Sequence, residues 1–305
     1  MDLEDLIRAD RQIKENSLKA YIASLRKLND GKMPVSLDYL KDFEEIFAKI
    51  KDLALTTRKN YITAVLVATR AADFKPQSTI DEYRKELDKL NQEYAETMSM
   101  NKKTDKQLEN WVTISDLRSV VRKYDTDIKD LDLKNKNEIK PKHKELLLNY
   151  LVSSLFVLIP PIRLDYSVKI VKKESEIEDK DNYLVNQSKT KKYFIIQTYK
   201  NSNKHGTRRI DVPLPISRVI NIWLRFNKTN FLLLNNRGGR LSENGLGKLI
   251  SKAFSPLGKL MTLNLLRKIF VSETIDNEAV KKSQKLADDM LHSTKTQQTI
   301  YYKED

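Results

Sequence analysis

Apolar residues recur at helical spacing through the first hundred residues, and a polar stretch separates each run from the next. The first run begins near Asn16 and stops at Gly31, a residue type that commonly ends helices. Three more runs of the same kind follow, and the last of them is rich in charged residues. The pattern predicts a helical domain of four helices over residues 1–100, followed by a polar, basic linker over residues 101–110.

From residue 111 onward, short runs in which apolar and polar residues alternate occur between the segments of helical spacing. A helix is predicted over 111–124, a charged loop over 125–142, and an apolar helix over 145–158 that stops at two prolines. Three strands are predicted at 166–171, 193–199 and 209–212, and four further helices at 216–226, 242–254, 263–275 and 279–291. The chain is therefore predicted to be mostly α with a small antiparallel β-sheet, an α+β fold whose second domain spans residues 111–305.

Composition narrows the partners and the compartment. Lysine and arginine total 56 against 42 acidic residues, for a net charge of +14, which favours nucleic acid as a partner, although a lysine-rich source proteome would also produce it. The absence of cysteine excludes disulfides and thiolate zinc sites, and three scattered histidines disfavour a metal centre. The start of the chain lacks the layout of a secretory signal, and its most apolar stretch is short for a membrane span. We expect an intracellular protein with no membrane partner.

Two arginines suit the binding of a phosphodiester. Transfer at phosphorus places extra negative charge on the non-bridging oxygens, and a planar guanidinium group can answer it with two parallel hydrogen bonds. Arg163 follows Pro160 and Pro161, where a side chain can enter a cleft, and Arg267 lies in a predicted helix. Either arginine alone is more often an ordinary surface or ion-paired residue.

Near the end of the chain, a histidine precedes a tyrosine by nine residues. Tyr301, with Tyr302 beside it, is a candidate nucleophile, because a phenolate can attack phosphorus and leave again. His292 could bond the phosphate or shuttle the proton of the phenol. Lys200, at the tip of the predicted hairpin, is a candidate proton donor to the leaving oxygen, and Lys204 in the same turn competes with it.

Taken in this order, these residues resemble the motifs of the tyrosine recombinases, the phage-integrase family. The resemblance is to the divergent members found in large DNA viruses and eukaryotic mobile elements. The matching strings are Ile162-Arg163-Leu164-Asp165, the Tyr199-Lys200 hairpin ending in Val212-Pro213-Leu214, Leu266-Arg267-Lys268-Ile269-Phe270, and Leu291-His292-Ser293 with Thr299-Ile300-Tyr301. Each string is weak by itself, and their order carries the resemblance.

The family resemblance implies a specific reaction. Tyr301 would attack DNA to give a 3′-phosphotyrosyl link and a free 5′ hydroxyl, Arg163 and Arg267 would bind the phosphate, Lys200 would act as the general acid, and His292 would assist. No metal or other cofactor is implied.

The resemblance also implies an architecture. Residues 1–100 would form a SAM-like core-binding domain, and residues 111–305 the catalytic domain of a C-shaped clamp around double-stranded DNA. A homo-oligomer on DNA, either a dimer or a tetramer, is implied. The compartment is left open beyond intracellular, with the host nucleus and a viral replication site as the two alternatives.

The sequence departs from the family pattern at three points. Asn264 stands where the family usually has a histidine, and an amide can bond a phosphate oxygen but cannot shuttle protons. Asp165 follows the first arginine by two residues rather than the usual three. The sequence ends at Asp305, which puts in question the assembly through a longer tail that many relatives use. The alternatives are strand nicking and religation like that of a type IB topoisomerase, and a catalytically impaired DNA-binding protein of the same fold.

Overall fold

The computed structural model describes residues 2–163, 165–178, 180–200, 202–235, 237–291 and 294. The chain divides into two compact units, Met1–Lys103 and Thr104–Asp305, and each has a hydrophobic core of its own. None of the helices in the described ranges is both long and apolar enough to span a bilayer.

The first unit is helical throughout its described part. Its helices are α1 (Leu3–Asp10), α2 (Glu15–Leu28), α3 (Phe43–Ile50), α4 (Leu55–Ala71) and α5 (Gln77–Ser99). The four predicted helices are present, and α1 precedes them with Leu3 and Ile7 buried. The second predicted helix is interrupted at Asp42, whose side chain accepts a hydrogen bond from the backbone N–H of Glu45 at 2.9 Å and so begins α3.

Helices also form most of the second unit. They are α6 (Asp105–Asn110), α7 (Ile114–Asp130), α8 (Pro141–Val157), the short α9 (Ser202–His205), α10 (Leu214–Phe226), α11 (Glu243–Ala253), α12 (Leu263–Thr274) and α13 (Asn277–Asp289). The last four lie within two residues of their predicted bounds. Helix α7 runs into the predicted loop, because Tyr124 and Ile128 continue its buried stripe.

Helix α6 occupies most of the segment predicted to be a linker. Thr104 caps it, and its C-terminal end is fastened to the loop before α12. There the side chain of Lys259 donates to the carbonyl of Glu109, and the backbone N–H of Leu260 donates to the side chain of Asn110, both at 2.7 Å. The helix therefore belongs to the second unit.

A four-stranded sheet lies beside these helices. Its strands are β1 (Lys169–Val171), β2 (Asn182–Asn186), β3 (Lys192–Ile196) and β4 (Arg208–Asp211), in that order across the sheet. β1 pairs with β2 in parallel, and the other two pairs are antiparallel. The α+β class is confirmed, but the sheet is mixed rather than wholly antiparallel. The sequence pattern missed β2, because an apolar run of three residues is too short to show alternation.

Candidate functional site

Arg163 lies in the irregular segment between α8 and β1. The prolines at 160 and 161 end the helical path, and the Arg163 side chain is half-buried. Three residues later, Tyr166 is fully buried, and its ring makes edge contacts with Phe156 and Phe194 at centroid distances of 5.3 and 5.2 Å. These ring contacts hold the segment against the core three residues after Arg163, and so limit the positions that Arg163 can take.

Arg267 projects from α12. The side chain of Thr262 caps the helix by accepting from the backbone N–H of Leu265 at 3.3 Å. The buried face of the helix consists of Leu265, Leu266 and Ile269. Arg267 is half-buried at the edge of that face, and Asn264 lies one turn earlier and is exposed.

The carboxyl group of Asp165 interacts electrostatically with both arginines. Burial raises the pKa of this carboxyl above its ordinary value and the nearby Glu243 carboxylate raises it further, whereas Arg163 and Arg267 both lower it. Coulombic effects fall off with distance, so Asp165 lies within electrostatic reach of both guanidinium groups. The two arginines come from elements that are far apart in the sequence.

A polar cavity of about 380 Å³ adjoins Asp165. Its wall also includes Asn182 at the start of β2, Thr198 just after β3, Arg240 in the loop before α11, and Glu243 in the first turn of α11. The ends of two strands and the start of a helix therefore converge on the segment that carries Arg163.

The side chain of Asn182 holds the end of β3 in place. Its Oδ1 accepts from the backbone N–H groups of Gln197 at 2.9 Å and Thr198 at 2.8 Å, and its Nδ2 donates to the carbonyl of Thr198 at 2.9 Å. Lys200 follows two residues later and is exposed, whereas Lys204 lies on the separate α9. Of these two lysines, Lys200 is thus nearer in sequence to a wall of the Asp165 cavity, and Lys180 lines that cavity directly.

Lys192 is a buried lysine at the other end of the same hairpin. Its side chain is 2% exposed and donates to the carbonyls of Ser188 at 2.6 Å and Lys189 at 3.0 Å, while burial lowers the pKa of the ammonium group. In the pairing of β2 with β3 it lies opposite Asn186, whereas Asn182 and the cavity are at the opposite end. Lys192 therefore stabilises the turn and does not replace Lys200 as a candidate acid.

A network of ion pairs supports the wall of the cavity. Asp181 pairs with Lys169 at 3.1 Å and with Arg240 at 2.7 Å. Burial works to raise the pKa of Asp181, but the backbone N–H of Asn182 and the two cations outweigh burial and hold that pKa below its usual value. The sequence offered no signal for Arg240 or Asp181, because neither differs in its local context from the many other charged residues.

The remaining candidates, His292, Tyr301 and Tyr302, lie outside the described residues. In the ranges that the structure describes, no group of three or more histidine, aspartate or glutamate side chains is arranged to hold a metal ion.

Comparison with known proteins adds one structural similarity. No family model and no curated protein matches the sequence. Among solved structures, the chain is similar to the XerA recombinase, at 12% sequence identity and a TM-score of 0.35, over 99% of this chain and 92% of that chain. A similarity at this level carries no functional argument, so the function has to be inferred from the side chains that the fold brings together.

Proposed function

We propose that the protein is a site-specific DNA recombinase or integrase that cleaves and rejoins strands through a 3′-phosphotyrosyl intermediate. One observation supports this most directly: Arg163 and Arg267 both act on the carboxyl group of Asp165. Two guanidinium groups that act on one carboxyl group are suited to act together on the non-bridging oxygens of a phosphodiester. The order of the sequence motifs supplies the remaining groups.

In the proposed reaction, the phenol oxygen of Tyr301 attacks phosphorus, and the bond from phosphorus to the 5′ oxygen breaks. The ammonium group of Lys200 gives a proton to the leaving 5′ oxygen, and His292 accepts the proton of the phenol. Arg163 and Arg267 stabilise the charge that develops on the phosphate. Religation is the same sequence in reverse, and the energy of the phosphodiester is kept in the tyrosyl ester.

A nicked suicide substrate tests the covalent step. Cleavage close to a nick releases a short fragment, religation is lost, and the protein stays linked to DNA as a band of reduced mobility in a denaturing gel. We expect the adduct with the wild-type chain, also in the presence of a chelator. Tyr301→Phe should abolish the adduct, and Tyr302→Phe, the matched control, should retain it. Loss of the adduct in Tyr302→Phe alone would move the nucleophile to Tyr302, and no adduct with the wild type would refute the proposal.

The two arginines are tested in the same assay. Arg163→Lys and Arg267→Lys keep the charge but lose the planar fork, and each should slow adduct formation by about a hundredfold or more. A rate within a factor of about two of the wild type in both variants would contradict their assignment to the phosphate.

Strand transfer distinguishes recombination from simple relaxation. A recombinase joins strands from two duplexes, which requires more than one copy of the chain, so we expect a dimer or tetramer on DNA by sedimentation. Relaxation of supercoiled DNA without any exchange between duplexes would instead assign the chemistry to a type IB topoisomerase activity.

A further inference from the structure

Arg240 makes contacts that bear on the position of Arg163. From these contacts we infer that Arg240 is a positioning residue for the phosphate-binding arginine, acting through the backbone of Ser167. This inference rests on the proposed function, because it gives a purpose to a side chain beside the proposed phosphate site.

The guanidinium group of Arg240 joins two parts of the second unit. Its Nε donates to the carbonyl oxygen of Ser167 at 2.7 Å, and one of its terminal nitrogens pairs with the carboxylate of Asp181 at 2.7 Å. Asp181 is paired in turn with Lys169 of β1. Arg240 therefore ties the segment that carries Arg163 to the beginning of β2.

The described residues of that segment, 161–163 and 165–168, form no regular secondary structure, so its path depends on individual contacts. The ring of Tyr166 packs in the core, the backbone N–H of Leu232 donates to the carbonyl of Val168 at 3.0 Å, and Arg240 bonds the carbonyl of Ser167. Of these three contacts, the Arg240 contact has a charged donor, and such bonds are roughly twice as strong as neutral ones. Arg240 also lines the same cavity as Asp165.

The backbone around Arg240 is itself held in a defined turn. The side chain of Asn235 accepts from the backbone N–H groups of Arg237 and Gly239, and it donates to the carbonyl of Arg240 at 3.1 Å. Gly238 has a φ of +78°, in the left-handed region that glycine adopts without strain. The turn fixes the origin of the Arg240 side chain, so its contact with Ser167 is preorganised.

The consequence for catalysis follows from geometry. Without Arg240, the carbonyl of Ser167 and the carboxylate of Asp181 both lose a cationic partner at the same place. The segment from Arg163 to Val168 is then free to shift. A displacement of about 1 Å in a phosphate-binding group can cost about a hundredfold in rate, even when binding energy is retained elsewhere.

The test separates the rate of cleavage from the affinity for DNA. Arg240→Met keeps the length of the side chain and removes its charge and donors. Under single-turnover conditions with saturating suicide substrate, we expect adduct formation to slow by about tenfold to a hundredfold, while the Kd for uncleaved DNA changes by less than about twofold. Arg209→Met is the matched control: Arg209 is likewise ion-paired, with the carboxylates of Glu174 and Asp211, and is similarly exposed, and its loss should leave the rate unchanged.

Chemical rescue tests whether a slow Arg240→Ala variant lacks only the guanidinium group or has lost its structure more generally. In Arg240→Ala, free guanidinium ion at millimolar concentration should restore part of the lost rate by occupying the space between Ser167 and Asp181. Asp181→Asn provides a second variant in case Arg240→Met does not fold, and it should also slow adduct formation, by a smaller factor, because the bond to Ser167 remains.

Three results would overturn the inference while leaving the proposed function intact: an unchanged rate in Arg240→Met, weaker DNA binding at an unchanged rate, or a slow and unstable Arg240→Ala that guanidinium does not rescue. The second result would mean that Arg240 contacts DNA directly. No adduct with the wild-type chain would refute the proposed function and this inference together, so the two failures are distinguishable.

Discussion

Replacing Asn182 by alanine is the sharpest test of how the candidate site is held together. The Asn182 side chain is 5% exposed and makes three hydrogen bonds of 2.8 to 2.9 Å to the backbone of Gln197 and Thr198. Alanine keeps the strand but leaves the N–H groups of Gln197 and Thr198 and one carbonyl without these partners.

The magnitude follows from the number of bonds. A hydrogen bond contributes about 0.5–1.5 kcal/mol net, so three bonds correspond to about 1.5–4.5 kcal/mol. We expect a loss of about 1.5–3 kcal/mol in the free energy of unfolding of the second unit, because the three bonds are only partly buried and water can reach the groups that lose a partner.

The assay uses the intrinsic fluorescence of the full chain. Both of its tryptophans, Trp111 and Trp223, lie in the second unit, so their emission during urea unfolding reports on that unit. Asn135→Ala is the control, since Asn135 is exposed and makes one side-chain bond, to Asp132 at 2.7 Å, and it should change stability by no more than about 0.5 kcal/mol. If Asn182→Ala lost no more stability than Asn135→Ala, the account of the hairpin end would be wrong.

Three further variants test the electrostatics of the cavity wall. The raised pKa of Asp165 means that the folded state binds its proton more tightly, so this residue costs the wild type stability as pH rises above the ordinary value of 3.8. The urea midpoint of Asp165→Asn should therefore rise relative to that of the wild type as pH increases from acidic to neutral. A difference between the two midpoints that changes in the opposite direction would contradict this. The lowered pKa of Asp181 has the opposite sign: its contribution is present above 3.8 and is lost as pH falls through the lowered value, so Asp181→Asn should be less stable than the wild type at neutral pH and equal to it in strong acid. The buried Oγ of Ser167 has no hydrogen-bond partner in the described structure, so Ser167→Ala should leave stability unchanged or raise it by up to about 1 kcal/mol, as thermal unfolding would show.

Much of the fold could be predicted because most helices carry a regular apolar stripe. Helices α10 to α13 show this, and so does the helical content of the first unit. The pattern failed where the apolar signal was short or diluted. Helix α1 buries only Leu3 and Ile7, β2 has three apolar residues in a row, and the last turns of α7 place Ile128 among charged residues. In each case tertiary packing decided the structure.

The candidate site was predictable only in part. Arg163 and Arg267 were selected from the chemistry that a phosphodiester needs, and in the structure both lower the pKa of Asp165. The contact of Arg240 with Ser167 and the bonds of Asn182 to the end of β3 could not be read from the sequence. They join residues that are distant along the chain, and local periodicity carries no information about such pairs.

The attachment of α6 has a mechanical consequence. This helix is the first element after the boundary between the units, and Lys259 and Leu260, in the loop that leads into α12, form hydrogen bonds with its C-terminal end. A load applied to the chain at residue 104 therefore passes through α6 into the loop that precedes α12, the helix that bears Arg267.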